Sequence, residues 1–408
     1  MKILSKNELI NIFLRITPVG AKFGIIVFLA EVLSTNNYAK FNLIITTITL
    51  GIYFFGLDFY HFSNREIILS KDDTLEKIAS AVLLYFIIYV CFSIVGYFSL
   101  PNLNFIESDY LRILLLLMIT EHLNHECYRL YICFKKIKTA NIIFFFKGVT
   151  WTTAIFILFL SGNQHKITID LILKLWLVAN ICSLVAVFFN VKVYKHIKDI
   201  EFNLKFIKKG FKICLWIFLS TISLKIIEYS GRYISDFFLE DDETAVFLFY
   251  SSIAISLSLY IDTVVTSFEY PKLVESYKTN HFEIQKVKFK KKLIKHIIIC
   301  VMLIFLIGLI VVNLISNTLY LSKFNVLVYM LFGNVLMNYS LLNHYILYAK
   351  KQDKSIVRVN LFGGAFSIIA SIILIYYFGL LGASLSVLVS GAVVMYLRRK
   401  FVQTSDGL

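Results

Sequence analysis

The chain has 408 residues, 58% of them hydrophobic and 16% charged, with three prolines and a net charge of +15. A soluble domain carries about 45–50% apolar residues, and mean hydropathy here is +0.76, which excludes a soluble globular protein and defines an all-α polytopic membrane protein. Six cysteines, at 91, 127, 133, 182, 214 and 300, fall inside apolar segments without a CxxC pair; they read as small apolar core residues, not as a disulfide framework or metal site.

A membrane-crossing helix needs about 20 predominantly apolar residues. Twelve segments qualify: 9–33, 38–62, 78–99, 110–134, 141–161, 168–191, 211–239, 244–270, 293–316, 320–349, 356–378 and 380–397. None shows the ten-residue alternation of a membrane barrel. The first is interrupted by Arg15, Pro18 and Lys22 and is followed by no small-residue cleavage site, so it reads as a span and not as a signal peptide.

The connections set the orientation. The two termini and alternate loops carry thirty Lys and Arg, and the opposite set carries two, Lys166 and Lys323. The positive-inside rule places both termini and the lysine-rich loops in the cytoplasm. The basic balance is therefore a topology signal, and no nucleic-acid partner is expected. One of the two longest loops, after the sixth span, divides the chain near residue 200. Six spans on each side predict two six-helix lobes, 1–200 and 201–408, around a central cavity, a common transporter plan. "LSTNNYAKF" (33–41) and "LEDDETAVF" (239–247), each linking the first two spans of its half, echo one another weakly.

Nine basic residues remain inside spans. Lys40, Arg112 and Lys174 lie close enough to span ends to snorkel. Arg15, Lys22, Arg129, Lys225 and Arg232 are deeper, where a charge costs about 2.5–3.5 kcal/mol on insertion scales and usually faces an interior or a water-filled space; Lys147 is intermediate. Arg15 and Lys22 are seven residues apart on one face of the first span. Lys225 and Arg232 are seven apart in "KIIEYSGRYISD" (225–236), together with Glu228 and Asp236 on the same helix face. Two readings of that stripe stand: cations facing a central cavity, or four charges neutralising one another along the helix. The second does not account for Arg15 and Lys22, which have no acidic residue three or four positions away.

The fourth span contains "EHLNHECYR" (121–129). Its histidines are three apart, unlike the zinc motif HExxH, so the stretch reads as a polar face lining a cavity, with proton-exchanging groups. Arg15, Lys22, Arg129, Lys147, Lys225 and Arg232 are the substrate-binding candidates. Asp58, Glu121, Glu126, Glu228, Asp236 and Asp262 are the ion-coupling candidates. There is no GxxxxGK[ST] phosphate loop, and no loop is long enough to hold a catalytic core. Neither a cofactor nor enzymatic activity is expected.

Three stretches carry a family resemblance: "LGIYFFGLDFYHFSNREI" (50–67), "GRYISDFFLEDDETAVFLFYSSIAIS" (231–256) and "YAKKQDKSIVRVNLFGGAFSIIASIILIYYFGLLGASLSVLVSG" (348–391). With the span count and loop pattern, they make the chain resemble the Wzx-type polysaccharide flippases of the MOP exporter superfamily. Two positions depart from that pattern: Gly231 stands where an Asp commonly precedes Arg232, and no Pro shortly precedes Phe378. The first departure leaves Glu228, one turn away, as a substitute partner for Arg232. The resemblance implies a bacterial inner-membrane protein that moves undecaprenyl-diphosphate-linked oligosaccharide units from the cytoplasmic to the outer leaflet, for O-antigen or capsule assembly. It also implies partnership with a polysaccharide polymerase and a chain-length regulator. The alternatives are another MOP-type transporter, either a peptidoglycan-precursor flippase or a drug/cation antiporter, and a membrane-bound polymerase or ligase. The last class usually needs a large external loop, whereas the longest external segment here has about ten residues.

Overall fold

The computed structural model describes residues 6–69, 73–103, 105–191, 201–277, 279 and 281–406. The expected lobe boundary at residue 200 lies outside the described residues, as do Lys2, Lys71, Lys192, Lys195, Lys198 and Lys278 of the cytoplasmic charge count. Among the described residues every regular element is helical.

Ten segments are long and apolar enough to cross a membrane by composition alone. Two further observations bring the number to the expected twelve. Helix α5 (Ser108–Cys133) has 26 residues, ample for a span, but carries Asp109, Arg112, Glu121, Glu126 and Arg129. The long helix α16 (Asp353–Asp406) is two spans folded back at Gly379, whose φ of 54° and ψ of −135° no side-chain-bearing residue adopts without strain. At the same bend a Cβ on Gly382 would lie 1.8 Å from the Leu374 carbonyl oxygen, so the two arms close only around a glycine.

Three expected spans are broken rather than continuous. The 38–62 segment is α2 (Thr35–Gly56), a turn through Leu57 and Asp58 at positive φ, and α3 (Tyr60–Leu69). The 244–270 segment is α9 (Asp241–Ala254), α10 (Ser256–Ile261), a π turn over Asp262–Thr266, and α11 (Ser267–Ser276). The 320–349 segment is α13 (Thr318–Ser322), α14 (Asn325–Tyr339) and α15 (Leu341–Ala349). Hydroxyl side chains stand at two of these breaks. Ser256 Oγ donates to the Ile253 carbonyl and Ser340 Oγ to the Met337 carbonyl, both at 2.6 Å, and such back-bonding competes with the helical ladder. The cysteines also depart from expectation in part. Cys214 and Cys300 are buried, but Cys91 and Cys182 are exposed on helix faces, so these two are not core residues.

The chain forms two compact units. One takes the residues up to Leu33 and Lys40–Phe218; the other takes Ser34–Ala39 and everything from Leu219 onward. The dividing point falls inside α8 (Leu204–Phe238). In the first unit α1 (Lys6–Val32) packs on α6 (Ile137–Leu160), and α5 packs on both α6 and α7 (Ile169–Val191). Tyr131, Ala140, Ile143 and Val187 form an apolar cluster where these helices meet.

In the second unit α14 crosses the second arm of α16 at backbone contact. A Cβ on Gly391 would lie 2.4 Å from the Gly333 carbonyl oxygen, and one on Gly333 would lie 2.6 Å from that of Val387. Small residues at a crossing let apolar helices gain van der Waals contact where lipid supplies no hydrophobic driving force. The Ser34–Ala39 segment is anchored in this unit. Thr35 Oγ1 donates to Asp242 Oδ1 at 2.5 Å, and the Tyr38 ring meets Tyr320 and Phe249 at 6.4 Å.

Candidate functional site

Each unit encloses its own concentration of polar side chains. In the first, α5 presents Glu121 and Glu126 inward. Glu121, 4% exposed, accepts from Lys147 Nζ at 2.5 Å, from Trp176 Nε1 at 2.6 Å and from Asn180 Nδ2 at 3.0 Å. His125 Nε2 stands 3.7 Å from its second oxygen. Trp176 is stacked on Trp151, and Asn180 also accepts from Asn124 Nδ2 at 2.9 Å. Lys147 and Lys22 are both charged neighbours of His125. A buried carboxylate with a cation and two neutral donors has its lone pairs filled, which is the condition under which a buried ion pair is tolerated.

Glu126 anchors a second group one turn on. It accepts from Tyr85 OH at 2.8 Å and pairs with Arg129, whose guanidinium lies 3.5 Å over the Tyr60 ring. His122 is held by Tyr89 OH at 2.6 Å. Asp58, at the positive-φ turn before α3, is 3% exposed, and its Oδ2 has no hydrogen-bond partner among the described residues. Arg15 and Lys22 are exposed on α1.

In the second unit a cavity of about 310 Å³ is lined by residues of α8, α9, α10, α14, α15 and α16, with Asp262 contributed by the π turn. Lys225 and Glu228 stand at its wall as an ion pair of 2.6 Å, so Glu228 serves Lys225. Arg232 is buried at 5% exposure, its Cζ 5.4 Å from the Tyr229 ring; Asp236 is half-buried on the same helix. Asp262 accepts from Thr266 Oγ1 at 3.2 Å and has Lys225, Glu228 and Arg398 as charged neighbours. π turns occur frequently at functional sites, because the extra residue re-aims the side chains around it.

Within each unit the candidate residues group by pairs. Glu121 meets Lys147, Glu126 meets Arg129, and Lys225 meets Glu228 and shares a cavity with Asp262. Among the described residues no three His, Cys, Asp or Glu side chains are grouped to hold a metal ion.

Sequence reading missed Arg398. It was counted with the cytoplasmic tail, yet α16 continues to Asp406 and buries Arg398 to 1% exposure. Its Nη1 donates to Ser340 Oγ at 2.7 Å, and its Nε has no acceptor among the described residues. The available signal was periodicity. Val387, Ser390, Gly391 and Arg398 recur at helical spacing and line the same cavity. Asn334 and Asn338, one turn apart on α14, line it too and were likewise not singled out.

This architecture is the fold seen in solved transporters of the MOP superfamily. A multidrug-resistance MATE family transporter of that superfamily, in its inward-facing conformation, superimposes with a TM-score of 0.75 over 97% of both chains at 11% identity. The lipid II flippase MurJ, in an inward closed conformation, superimposes with a TM-score of 0.73 over 97% of this chain and 87% of its own at 15% identity. An outward-facing MATE transporter of the superfamily matches at 0.66, covering 98% of this chain and 95% of its own at 12% identity. These neighbours are transporters, not enzymes. No protein-family profile matches the sequence, and no curated protein matches it at a significant level.

Proposed function

We propose that the protein is a flippase that carries undecaprenyl-diphosphate-linked oligosaccharide units from the cytoplasmic to the outer leaflet of the bacterial inner membrane by alternating access, for surface polysaccharide assembly. The observation that carries this reading is the pair of exposed cations on α1. At 1.5 Å per residue, Lys22 lies about 14 Å from the start of the apolar stretch Phe13–Val32 and about 15 Å from its end, and Arg15 about 3 Å from the start. A cation as deep as Lys22 faces a wet space, because it would cost about 2.5–3.5 kcal/mol against lipid, and Arg15 stands on the same helix face seven residues nearer the start of the stretch. Two cations one above the other on a wet face suit a diphosphate, which takes charge-assisted hydrogen bonds from both. Lys225 and Arg232, and in the first unit Arg129 and Lys147, are the further cations of this reading. Asp58, Glu121, Glu126, Glu228, Asp236 and Asp262 remain its coupling groups. A polymerase and a chain-length regulator would act on the delivered units.

The test is genetic and quantitative. Arg15→Ala/Lys22→Ala should keep normal membrane abundance while surface polysaccharide is lost and lipid-linked units accumulate. Normal polysaccharide at normal abundance would end the reading. The orientation is checked separately with reporters fused after residues 36, 242 and 408, expected outside, outside and inside.

One observation favours a second reading, proton- or sodium-coupled export of organic cations. Asp58 is a buried carboxylate with an unfilled oxygen, and a cationic substrate or coupling ion would fill it. Efflux of a cationic dye that Asp58→Asn abolishes, with no effect on polysaccharide, would establish that reading instead.

A further inference from the structure

The cavity inside the C-terminal unit holds an unmade contact. Arg398 is fully buried, lines the cavity, and has an Nε with no acceptor among the described residues. Asp262 lines the same cavity from the π turn, and its carboxylate is met within the protein by the Thr266 hydroxyl. They are charged neighbours of one another, yet among the described residues no salt bridge within 4.0 Å is made by either. Lys225 and Glu228, the other two charged lining groups, already neutralise each other. A buried guanidinium with an unfilled donor is costly, and a buried polar group of this kind normally has a partner.

The charge balance restricts what that partner is. An anion seated on Arg398 would be enclosed with the Asp262 carboxylate, and a cation seated on Asp262 would be enclosed with the guanidinium. A neutral ligand rich in hydroxyls avoids both penalties. Its oxygens accept from Arg398 and its O–H groups donate to Asp262, so one molecule satisfies both residues without burying net charge. The rest of the wall suits such a ligand. Asn334 and Asn338 have amide N–H groups engaged by Met330, Ser258 and the Asn334 carbonyl, which leaves their amide oxygens to accept from hydroxyls; Tyr345 offers an aromatic ring, and about 310 Å³ lies in the range of small-molecule sites.

We infer that this cavity is a saccharide-binding subsite, with Arg398 and Asp262 bridged by the hydroxyls of an uncharged sugar ring. The inference rests on the lipid-linked oligosaccharide reading and adds to it: the diphosphate meets the cations, and a sugar of the attached unit occupies the C-terminal unit's own cavity. Arg398 and Asp262 then act on sugar recognition and not on the lipid diphosphate.

The experiment compares two lipids on the full-length protein in nanodiscs by native mass spectrometry. The probes are undecaprenyl diphosphate and the same lipid bearing one N-acetylglucosamine. Wild type should prefer the sugar-bearing lipid by about tenfold, the effect of one or two good hydrogen bonds to charged groups. Arg398→Gln and Asp262→Asn should each reduce that preference to below about twofold, and Arg398→Gln should leave binding of undecaprenyl diphosphate unchanged. A residue with a merely structural role would weaken both lipids alike. Equal binding of the two lipids by wild type, or a preference that survives both substitutions, overturns the subsite and leaves the flippase reading standing. Binding of neither lipid overturns the flippase reading and the subsite with it. Saturable binding of glycine betaine that Arg398→Gln and Asp262→Asn each abolish, and that the sugar-bearing lipid does not displace, also overturns the subsite and assigns the cavity to a zwitterion.

Discussion

In the N-terminal unit the carboxylate of Glu121 is met by Lys147, Trp176 and Asn180 within 3.0 Å. In the C-terminal unit Asp262 and Arg398 share a cavity and, among the described residues, make no salt bridge. Both regions are built from acids, cations and asparagines on membrane-crossing helices, yet the first is filled and the second is open. The difference lies in the backbone. Around Glu121 three helices, α5, α6 and α7, pack closely and bring donors from each to one carboxylate. Around Asp262 the π turn interrupts the chain between α10 and α11, and α15 starts afresh after Ser340. Broken helices at membrane depth are tolerated where they line a cavity. The filled region therefore holds its ion pair preorganised, and the open one leaves room for a ligand.

Removing one partner from each region separates the two cases. Lys147→Met strands the buried Glu121 charge and should cost about 3–5 kcal/mol, read from thermal and chemical unfolding in detergent. The double variant Lys147→Met/Glu121→Gln should recover most of that loss. A cost below about 1 kcal/mol for the single variant would show that the N-terminal region is wet, because only a hydrated pair is worth so little.

The next effect is geometric. Gly391→Val drives a side chain into the Gly333 carbonyl at the crossing of α14 and α16. Overpacking of this kind costs about 1–3 kcal/mol, and displacement of α14 would carry Asn334 and Asn338 away from Arg398. Stability should fall together with any preference for the sugar-bearing lipid. Gly391→Ala at unchanged stability would contradict the close crossing.

The smallest effect on stability is expected at Arg398. Arg398→Gln retains a donor for Ser340 and removes a charge that has no ionic partner. The change should stay within about 1 kcal/mol, several-fold less than at Lys147. A loss as large as that of Lys147→Met would mean that Arg398 is a structural ion-pair member and the C-terminal cavity is closed in solution.

The twelve spans were legible because hydropathy and length alone decide them, and even charged α5 was found from its apolar flanks. The breaks were not legible. Leu57 and Asp58 take positive φ without being glycine, and Ser256 and Ser340 are polar residues that a continuous helix also tolerates. The pairing of Lys225 with Glu228 follows from spacing on one helix. The pairing of Glu121 with Lys147 depends on how α5 and α6 pack, which no local pattern encodes. Arg398 was misplaced for a definite reason. Hydropathy marks where apolar residues stop, and a helix that continues past that point carries its first arginine back into the interior.

The central claim is lipid-linked oligosaccharide transport, and reconstitution tests it most directly. Purified protein in vesicles should move undecaprenyl-diphosphate-linked N-acetylglucosamine between leaflets, scored by access of the sugar to an added lectin. Arg15→Ala/Lys22→Ala at equal reconstitution should slow this by about tenfold or more, the scale of one lost charge-assisted contact. Vesicles that export a cationic dye while leaving the lipid-linked sugar in its original leaflet would contradict the account.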